Sequence, residues 1–138
     1  MVDQETSGNI PEDQKEFCSA GIASTNNAYE ILVYAGWNGH LGPVSVPYDK
    51  VHILSLSSFR WFKAPYSAAH PLHATTCVPV GGDQIMKVGG VNTTQNDIFY
   101  NVFNTSDPFE QGLAIFDMNV MAFAPSLSPN LLPTPAPP

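Results

Sequence analysis

Residues 29–36 read YEILVYAG and residues 83–90 read DQIMKVGG, and the two segments agree in kind nearly position for position. A second pair agrees in the same way, with VHILSLSSFRW at 51–61 and LAIFDMNVMAF at 113–123. The first pair is offset by 54 residues and the second by 62, so the second copy carries extra residues in the polar stretch from 92 to 108. A period in the fifties, built from short strands that end in glycine and an aromatic residue, is typical of repeat architectures. The sequence therefore predicts one structural unit used twice.

The composition favours strands over helices. The chain has 138 residues, of which 43% are hydrophobic and 11% aromatic, as expected of a globular protein. Only 12% of the residues are charged, while the chain has 10 glycines and 13 prolines. Because surface helices need charged side chains to solvate their outer faces, this composition indicates short strands joined by turns. We expect an all-β fold.

The order of apolar runs and turn signals predicts two antiparallel four-stranded sheets, the first over about 17–66 and the second over 67–124. The pair Asn26-Asn27 separates two apolar runs and indicates a hairpin turn. The long connection from 92 to 111 is too apolar for a solvated linker, so we expect it to pack back on the sheet. The predicted strands lie within 22–25, 29–34, 51–56, 59–62, 72–80, 85–88, 113–118 and 120–123.

The two ends of the chain differ in character from the repeats. Residues 1–16 read as an exposed acidic lead-in and contribute −4 to the net charge of −7. Residues 125–138 contain six prolines. Because proline cannot donate to a strand ladder, this Pro-rich tail is expected to be extended and mobile.

Charge and hydropathy exclude several kinds of partner. Only five residues are Lys or Arg, and they form no cluster along the sequence, so we expect no nucleic-acid partner and no binding to an anionic lipid surface. No run of 18 apolar residues predicts a membrane span, and the polar, acidic N-terminus lacks the pattern of a signal peptide. The sequence by itself therefore gives no signal for export.

The matched segments carry a motif that resembles the kelch repeat. In the first copy an apolar strand and the Ala35-Gly36 pair are followed by a variable loop, then by YDKVHIL at 48–54, and then by Trp61. The corresponding pieces of the second copy are the strand and glycine pair at 85–90, the segment 115–117 and Phe123. The resemblance covers about residues 16–124. More narrowly, the chain resembles the C-terminal blades of fungal kelch-domain proteins related to the galactose oxidase propeller superfamily, and the stretch DPFEQGLAIFD at 107–117 is the most specific part of this resemblance.

This resemblance implies that the two copies are kelch-type blades of an incomplete β-propeller that serves as a noncatalytic module for binding a protein or a glycan. Closed propellers have about four to eight blades, and this chain supplies two. Three outcomes follow: a fragment of a longer chain that carries the missing blades, a homo-oligomer that completes the ring, or an open stack of two sheets. Relatives of this kind are often extracellular or at the cell surface, so the resemblance implies that location.

The repeat also assigns structural roles. A glycine pair lets backbones approach and turn near the centre of a propeller, and an aromatic residue fills the wedge between neighbouring blades. Ala35 replaces the first glycine of the first pair, which costs little only if its φ is negative. Phenylalanine replaces the second tryptophan, so we expect the last blade to be the looser one. The structural residues of the repeat are Gly36, Gly89, Gly90, Trp61, Phe123 and Asp117.

The superfamily leaves one alternative function open, the remnant of a copper oxidoreductase like galactose oxidase, whose metal ligands are tyrosine and histidine. The chain has four histidines, at positions 40, 52, 70 and 73. His70 and His73 are three residues apart, but no third ligand of fixed spacing accompanies them. Asp49 and Asp117 fall at positions that the repeat itself requires. We therefore expect no enzyme activity, no catalytic residue, no metal site and no cofactor.

The loops that follow the glycine pairs are the expected contact surface, because aromatic side chains dominate contact energies at interfaces. We expect the exposed aromatic anchors to be Trp37, Tyr48, Phe99 and Tyr100.

Three further features concern covalent chemistry. Sequons begin at Asn92 and Asn104, which are candidate glycosylation sites if the protein enters the secretory pathway. Cys18 and Cys77 either form one disulfide in an oxidising compartment or remain two buried thiols.

Overall fold

The structure is a computed structural model that describes residues 3–23, 28–45, 50–65, 72–94, 103–104 and 106–128. Within these ranges the chain forms nine strands in two sheets and no α-helix, which confirms the expected all-β fold. The strands are β1 (Ser7–Gly8), β2 (Cys18–Ala23), β3 (Tyr29–Tyr34), β4 (Val51–Ser55), β5 (Arg60–Lys63), β6 (Thr76–Gly81), β7 (Gln84–Val88), β8 (Leu113–Asp117) and β9 (Ala122–Ala124).

Sheet 1 has the strand order β1-β5-β4-β3-β2, and sheet 2 has the order β6-β7-β8-β9. The fifth strand of sheet 1 corrects the prediction of four strands. β1 pairs in parallel with β5, and the amides of Ser7 and Asn9 donate to the carbonyl oxygens of Phe59 and Trp61 at 3.1 and 3.0 Å. The lead-in is thus largely exposed, yet it satisfies an open strand edge. Two polar residues without an apolar period give no sequence signal for such a strand.

The four strands of sheet 2, and the four strands of sheet 1 other than β1, form antiparallel meanders with equivalent registers, except for a β-bulge between Pro79 and Gly81 in sheet 2. The backbone repeats as well: Ala35 and Gly89 have φ of +64° and +63°, and Phe59 and Met121 have φ of +49° and +56°. The duplication in the sequence is therefore also a duplication of backbone geometry. The equivalent strand pairs are Cys18↔Tyr34 with Thr76↔Val88, Tyr34↔Val51 with Val88↔Leu113, and Ser55↔Arg60 with Asp117↔Ala122.

The two sheets pack face to face, and we call the two faces that meet the inner faces. Because side chains alternate along a strand, every second residue of each strand points into this interface. The packing leaves a gap of only about 10 Å³ between the sheets. Sheet 1 contributes Cys18, Ala20, Leu32, Tyr34, Val51 and Ile53 to this core, and the second repeat contributes Ile85, Phe116 and Met118.

A disulfide between Cys18 and Cys77 joins β2 to β6, with the two Cα atoms 5.3 Å apart. Of the two states that the sequence leaves open, the structure has the bonded one. The cysteines are 59 residues apart in sequence. In a chain-entropy description, closing a loop of this length stabilises the folded state by about 4 kcal/mol, because it restricts the unfolded chain.

Phe123 sits at the centre of an aromatic cluster on the inner face. Its ring centroid lies 5.4 Å from that of Tyr34 in sheet 1, and 5.2 Å from those of Phe109 and Phe116. Trp61 holds the equivalent register position in sheet 1, but it lies on the face turned away from sheet 2. The phenylalanine that replaces the repeat's tryptophan is therefore the residue that reaches across the interface.

Lys87 lies on the same inner face and is 1% exposed. Its Nζ donates to Oδ2 of Asp107 at 2.8 Å and lies 4.8 Å from the centroid of the Phe109 ring. The other carboxylate oxygen of Asp107 accepts a hydrogen bond from the Phe109 amide at 2.8 Å. Burial lowers the pKa of Lys87, while the hydrogen bond and the charge of Asp107 oppose that shift. This ion pair fastens the end of the long connection to sheet 2, as expected for that segment; residues 95–102 lie outside the described ranges.

The outer face of sheet 2 contacts the start of the Pro-rich tail. The amide of Ser128 donates to Oε1 of Gln84 at 3.1 Å, and Leu127 lies beside Met86 and Ile115 in a shallow groove. Residues 125–128 therefore contact an apolar sheet face, and the mobility expected of the tail stays a prediction. Residues 129–138 lie outside the described ranges.

The glycine pairs adopt the left-handed conformations that their residue type suggests, and Ala35 does so too. Its φ of +64° contradicts the condition under which alanine costs little, although its side chain is completely buried. Gly90 has a φ of +127°, and a Cβ there would lie 2.6 Å from Cγ2 of Thr75. A Cβ on Gly89 would meet no atom within 4 Å. A side chain at Gly90 would overlap its neighbours, whereas a side chain at Gly89 would have room.

We expect Gly89→Ala to lower the free energy of unfolding by about 1 kcal/mol, because only the left-handed backbone opposes it. Gly90→Ala should cost about 3 kcal/mol or more, since backbone conformation and steric overlap act together. The matched control is Ala35→Gly, in which relief of the backbone offsets the loss of about 0.8 kcal/mol from one buried methyl group. Urea unfolding measures all three, and equal costs for the two glycine substitutions would contradict this account.

We expect Asp107→Asn to lower the free energy of unfolding by about 3 kcal/mol at pH 7, because it leaves a buried ammonium without its counter-ion. Lys87→Met should cost less, because Asp107 is 16% exposed and keeps its hydrogen bond from the Phe109 amide, and the double variant should recover most of the loss. Because the pKa of Lys87 is lowered from 10.5 in the folded state, the unfolded state binds its proton more tightly. Loss of Asp107 removes the two interactions that raise this pKa, so Lys87 of the variant loses its proton at a lower pH than in the unmodified chain, and the deficit of Asp107→Asn should shrink as the pH rises toward 10.5. A deficit that persists in the double variant would show that Asp107 acts through the loop alone.

Candidate functional site

The long connections of both repeats leave the sheets at the same end, which we call the loop end (residues 15–16, 35–45, 72–75 and 89–94). β3 and β7 terminate there, and the chain also enters β2 and β6 from this side. The opposite end has the short turns after β4, β6 and β8. Because long loops carry most binding residues on rigid scaffolds, the loop end is the candidate functional site.

Trp37 is a buried part of this end and not the exposed anchor that the sequence predicted. It is 8% exposed, its Nε1 donates to Oε2 of Glu16 at 3.1 Å, and its ring centroid lies 4.7 Å from that of His73. Its backbone N–H and C=O both pair with Lys15, at 3.0 and 2.9 Å. The Lys15–Trp37 bridge therefore fixes the backbone at this buried side chain. The second repeat has an equivalent bridge between His73 and Val91. The other predicted anchors, Tyr48, Phe99 and Tyr100, lie outside the described residues.

His73 and Glu16 form the polar part of this cluster. Nε2 of His73 lies 3.5 Å from Oε2 of Glu16, and the imidazole is almost fully buried while the carboxylate is half exposed. Burial lowers the pKa of His73, and the negative charge of Glu16 opposes that shift. The amide of Ala74 donates to the Glu16 carbonyl at 2.9 Å, so the same residue links the two repeats through its backbone. The cluster therefore locks the entries to β2 and β6 together.

The loop after β3 is bonded to the loop after β7. The amide of Gly42 donates to the Thr93 carbonyl at 3.0 Å, and the hydroxyls of Ser45 and Thr93 lie 2.7 Å apart. Both hydroxyl side chains are buried, and Thr93 is 1% exposed. Val44 projects from this locked loop and is 67% exposed, and Phe103 of the second connection is 60% exposed. Hydroxyls and glycines that join two loops carry no periodic signal, so the sequence did not identify them.

The two sequons differ in accessibility. Oδ1 of Asn92 accepts hydrogen bonds from the amide and the hydroxyl of Thr94, at 2.9 and 2.6 Å, and the residue is only partly exposed. Asn104 is exposed. Asn104 therefore presents the more accessible acceptor amide for a glycan.

The described histidines lie apart from one another, and the contact between His73 and Glu16 is a pair without a third metal-ligating side chain. His40 is exposed on the loop after β3, His52 lies in β4 on the outer face of sheet 1, and His73 belongs to the Trp37 cluster. Asp117 accepts hydrogen bonds from the Asn119 amide and from Gln84 Nε2, so it shapes the turn after β8. No group of three His, Cys, Asp or Glu side chains that could hold a metal ion occurs among the described residues. His70 and Asp49 lie outside them.

Among the described residues there is also no helix whose length and apolar character would let it cross a membrane. No protein-family model matches the sequence, and no curated protein matches it.

Proposed function

We propose that this chain is a noncatalytic module that binds a protein or a glycan through its loop end, and that its two repeats are blades of a partial kelch propeller. The observation that carries the proposal is the bonding of the two long loops to each other through Thr93, Gly42 and Ser45. A loop whose polar groups are paired inside the protein is presented in one conformation, so binding loses less conformational entropy.

The chemistry of the loop end supports recognition by contact. The side chains of Trp37, Ser45 and Thr93 are used in bonds within the protein, while apolar surface at Val44 and Phe103 is exposed. Small apolar contacts surrounded by polar groups are typical of protein and glycan interfaces. The duplicated meander with its left-handed turn at the pair positions supports the kelch interpretation, since the repeat motif requires those backbone conformations.

Two covalent features support an extracellular or cell-surface location. The Cys18–Cys77 disulfide is of a kind that persists in oxidising compartments, and the exposed Asn104 suits glycosylation there.

The outer face of sheet 2 supports the proposal that further blades or a second copy complete the assembly. By the repeat, this face corresponds to the inner face of sheet 1, which is fully packed. It is open here: Val78, Val88 and Leu113 are 40, 37 and 41% exposed, and beside them lies a groove of about 440 Å³. An exposed apolar sheet face of this kind normally marks an interaction surface.

The contact surface is tested with a matched pair of substitutions. Val44 at the loop end and Val120 at the opposite end are both 67% exposed, so Val44→Asp and Val120→Asp introduce the same charge at equal exposure. We expect Val44→Asp to reduce binding to a glycan array or to immobilised extracellular proteins by about tenfold or more, because it places a charge in a contact surface. Val120→Asp should bind like the unmodified chain. Equal effects of the two variants, or no binding by the unmodified chain, would contradict the proposal.

The assembly state is tested by light scattering of the purified chain at several concentrations. A second copy on the open face predicts a defined dimer to tetramer, and Leu113→Lys should reduce it to a monomer because it places an ammonium in the apolar interface. Val120→Lys serves as the control. A monomer at every concentration would rule out self-association and leave two outcomes, a fragment of a longer chain or an open stack of two sheets.

A further inference from the structure

A polar cleft lies on the outer face of sheet 1, on the side away from sheet 2. It has a volume of about 170 Å³ and lies between the lead-in and strands β4 and β5. The polar residues that line it are Asn9, Glu12, Gln14, Lys50, His52 and Lys63.

The lead-in is held across this face from both sides. At one side β1 pairs with β5, and the Asn9 amide donates to the Trp61 carbonyl at 3.0 Å. At the other side Lys15 forms its two backbone hydrogen bonds with Trp37 at the loop end. Residues 9–14 therefore run between two fixed points and form one wall of the cleft.

The cationic groups of the opposite wall come together through strand geometry. His52 and Lys63 are direct partners in the antiparallel pair of β4 and β5, so their side chains stand next to each other on one face. Lys50 precedes His52 by two residues and falls on the same side of the chain. His52 is 6% exposed, and its Nδ1 has no hydrogen-bond partner among the described residues. Two of the chain's five Lys and Arg residues thus converge on a buried imidazole in a protein of net charge −7.

The electrostatics of the cleft agree with this geometry. Burial lowers the pKa of His52 from its ordinary value of 6.5, and the positive charges of Lys63 and then Lys50 lower it further. The carboxylate of Glu12 is the group that opposes the shift. Glu12 lies 3.9 Å from the Lys50 ammonium, and both side chains are well exposed, so this pair neutralises the cleft only weakly.

We propose that this cleft binds the oxyanion group of a phosphate or a sulfate. The ammonium groups of Lys50 and Lys63 supply charge and donors, and the side-chain amides of Asn9 and Gln14 supply neutral donors. The His52 imidazole adds a charged donor when it takes up a proton. The volume accommodates such a group with only a small attached moiety, so the ligand is either a free anion or a small phosphorylated or sulfated molecule such as a sugar.

Proton and anion binding should reinforce each other at this site. At pH 7 the imidazole of His52 is neutral, because its pKa lies below 6.5. A bound oxyanion favours the protonated ring, so anion binding should raise the pKa of His52, and acidification should raise the affinity by the same factor. The charged groups that face this imidazole are Lys63 on β5, Lys50 before β4 and Glu12 on the lead-in.

The test is an NMR titration of the full chain with inorganic phosphate, sodium sulfate or glucose 6-phosphate, with sodium chloride holding the ionic strength constant. We expect saturable shifts of the His52 ring signals, while those of His73 at the loop end stay unchanged. Tighter binding of glucose 6-phosphate than of phosphate would assign the group to a sugar, and the reverse order would assign it to the free anion. Sulfate serves for the pH series because it does not titrate in this range, and its affinity should rise between pH 7 and 5.5.

Substitutions separate the cleft from general charge effects. Lys50→Gln and Lys63→Gln should each weaken binding about three- to fivefold, as for partly exposed charge pairs. Glu12→Gln should strengthen it, and Arg60→Gln removes a charge outside the cleft and should change nothing. His52→Gln should abolish the pH dependence. Shifts that stay linear in anion concentration, or an Arg60→Gln effect equal to that of the lysine variants, would overturn the proposal.

Discussion

The packing of sheet 1 on sheet 2 is the constraint on which the rest of the structure depends. Each meander is apolar on both faces, and a single sheet of four short strands cannot bury either face alone. Stacking the two repeats buries Leu32 and Tyr34 against Ile85 and Phe116, and it leaves the outer face of each sheet outside this core. The disulfide, the Phe123 cluster and the loop-end bonds all reinforce this one contact.

The inner face of sheet 1 and the inner face of sheet 2 are not equivalent faces of the repeat. Sheet 1 uses the side that carries Leu32 and Tyr34, whereas sheet 2 uses the side that carries Ile85 and Lys87, which corresponds to Ile31 and Val33 of the first repeat. The arrangement is therefore head-to-tail, and it has no internal reason to stop after two sheets. The two outer faces are covered differently. The lead-in crosses the outer face of sheet 1, and residues 125–128 contact the outer face of sheet 2. The acidic lead-in, which was predicted to be an exposed extension, makes the outer face of sheet 1 polar.

The sequence predicted the strands, which depend on local periodicity. It did not predict the features that depend on contacts between residues far apart in the chain. The offsets of 54 and 62 residues place the strands of both repeats, because alternation and turn residues are local signals. Trp37 was expected to be exposed, since nothing near it in sequence shows that Glu16 and His73 enclose it. The sign of φ at Ala35 could not be predicted from its residue type, since the repeat geometry gives it the left-handed conformation of Gly89. The cationic cleft was invisible because its lysines are separated by thirteen positions and meet only through the pairing of β4 with β5.

The covalent bond between the first strands of the two repeats has a mechanical consequence. Tension applied to the two termini would pass from β2 to β6 through sulfur, and β3, β4 and β5 would stay shielded inside a closed ring of chain. The segment between the cysteines, which are 59 positions apart, would then be withheld from extension, which amounts to roughly 200 Å of contour length at full stretch. Such a bypass would let the first repeat keep its shape under load while the rest of the chain yields.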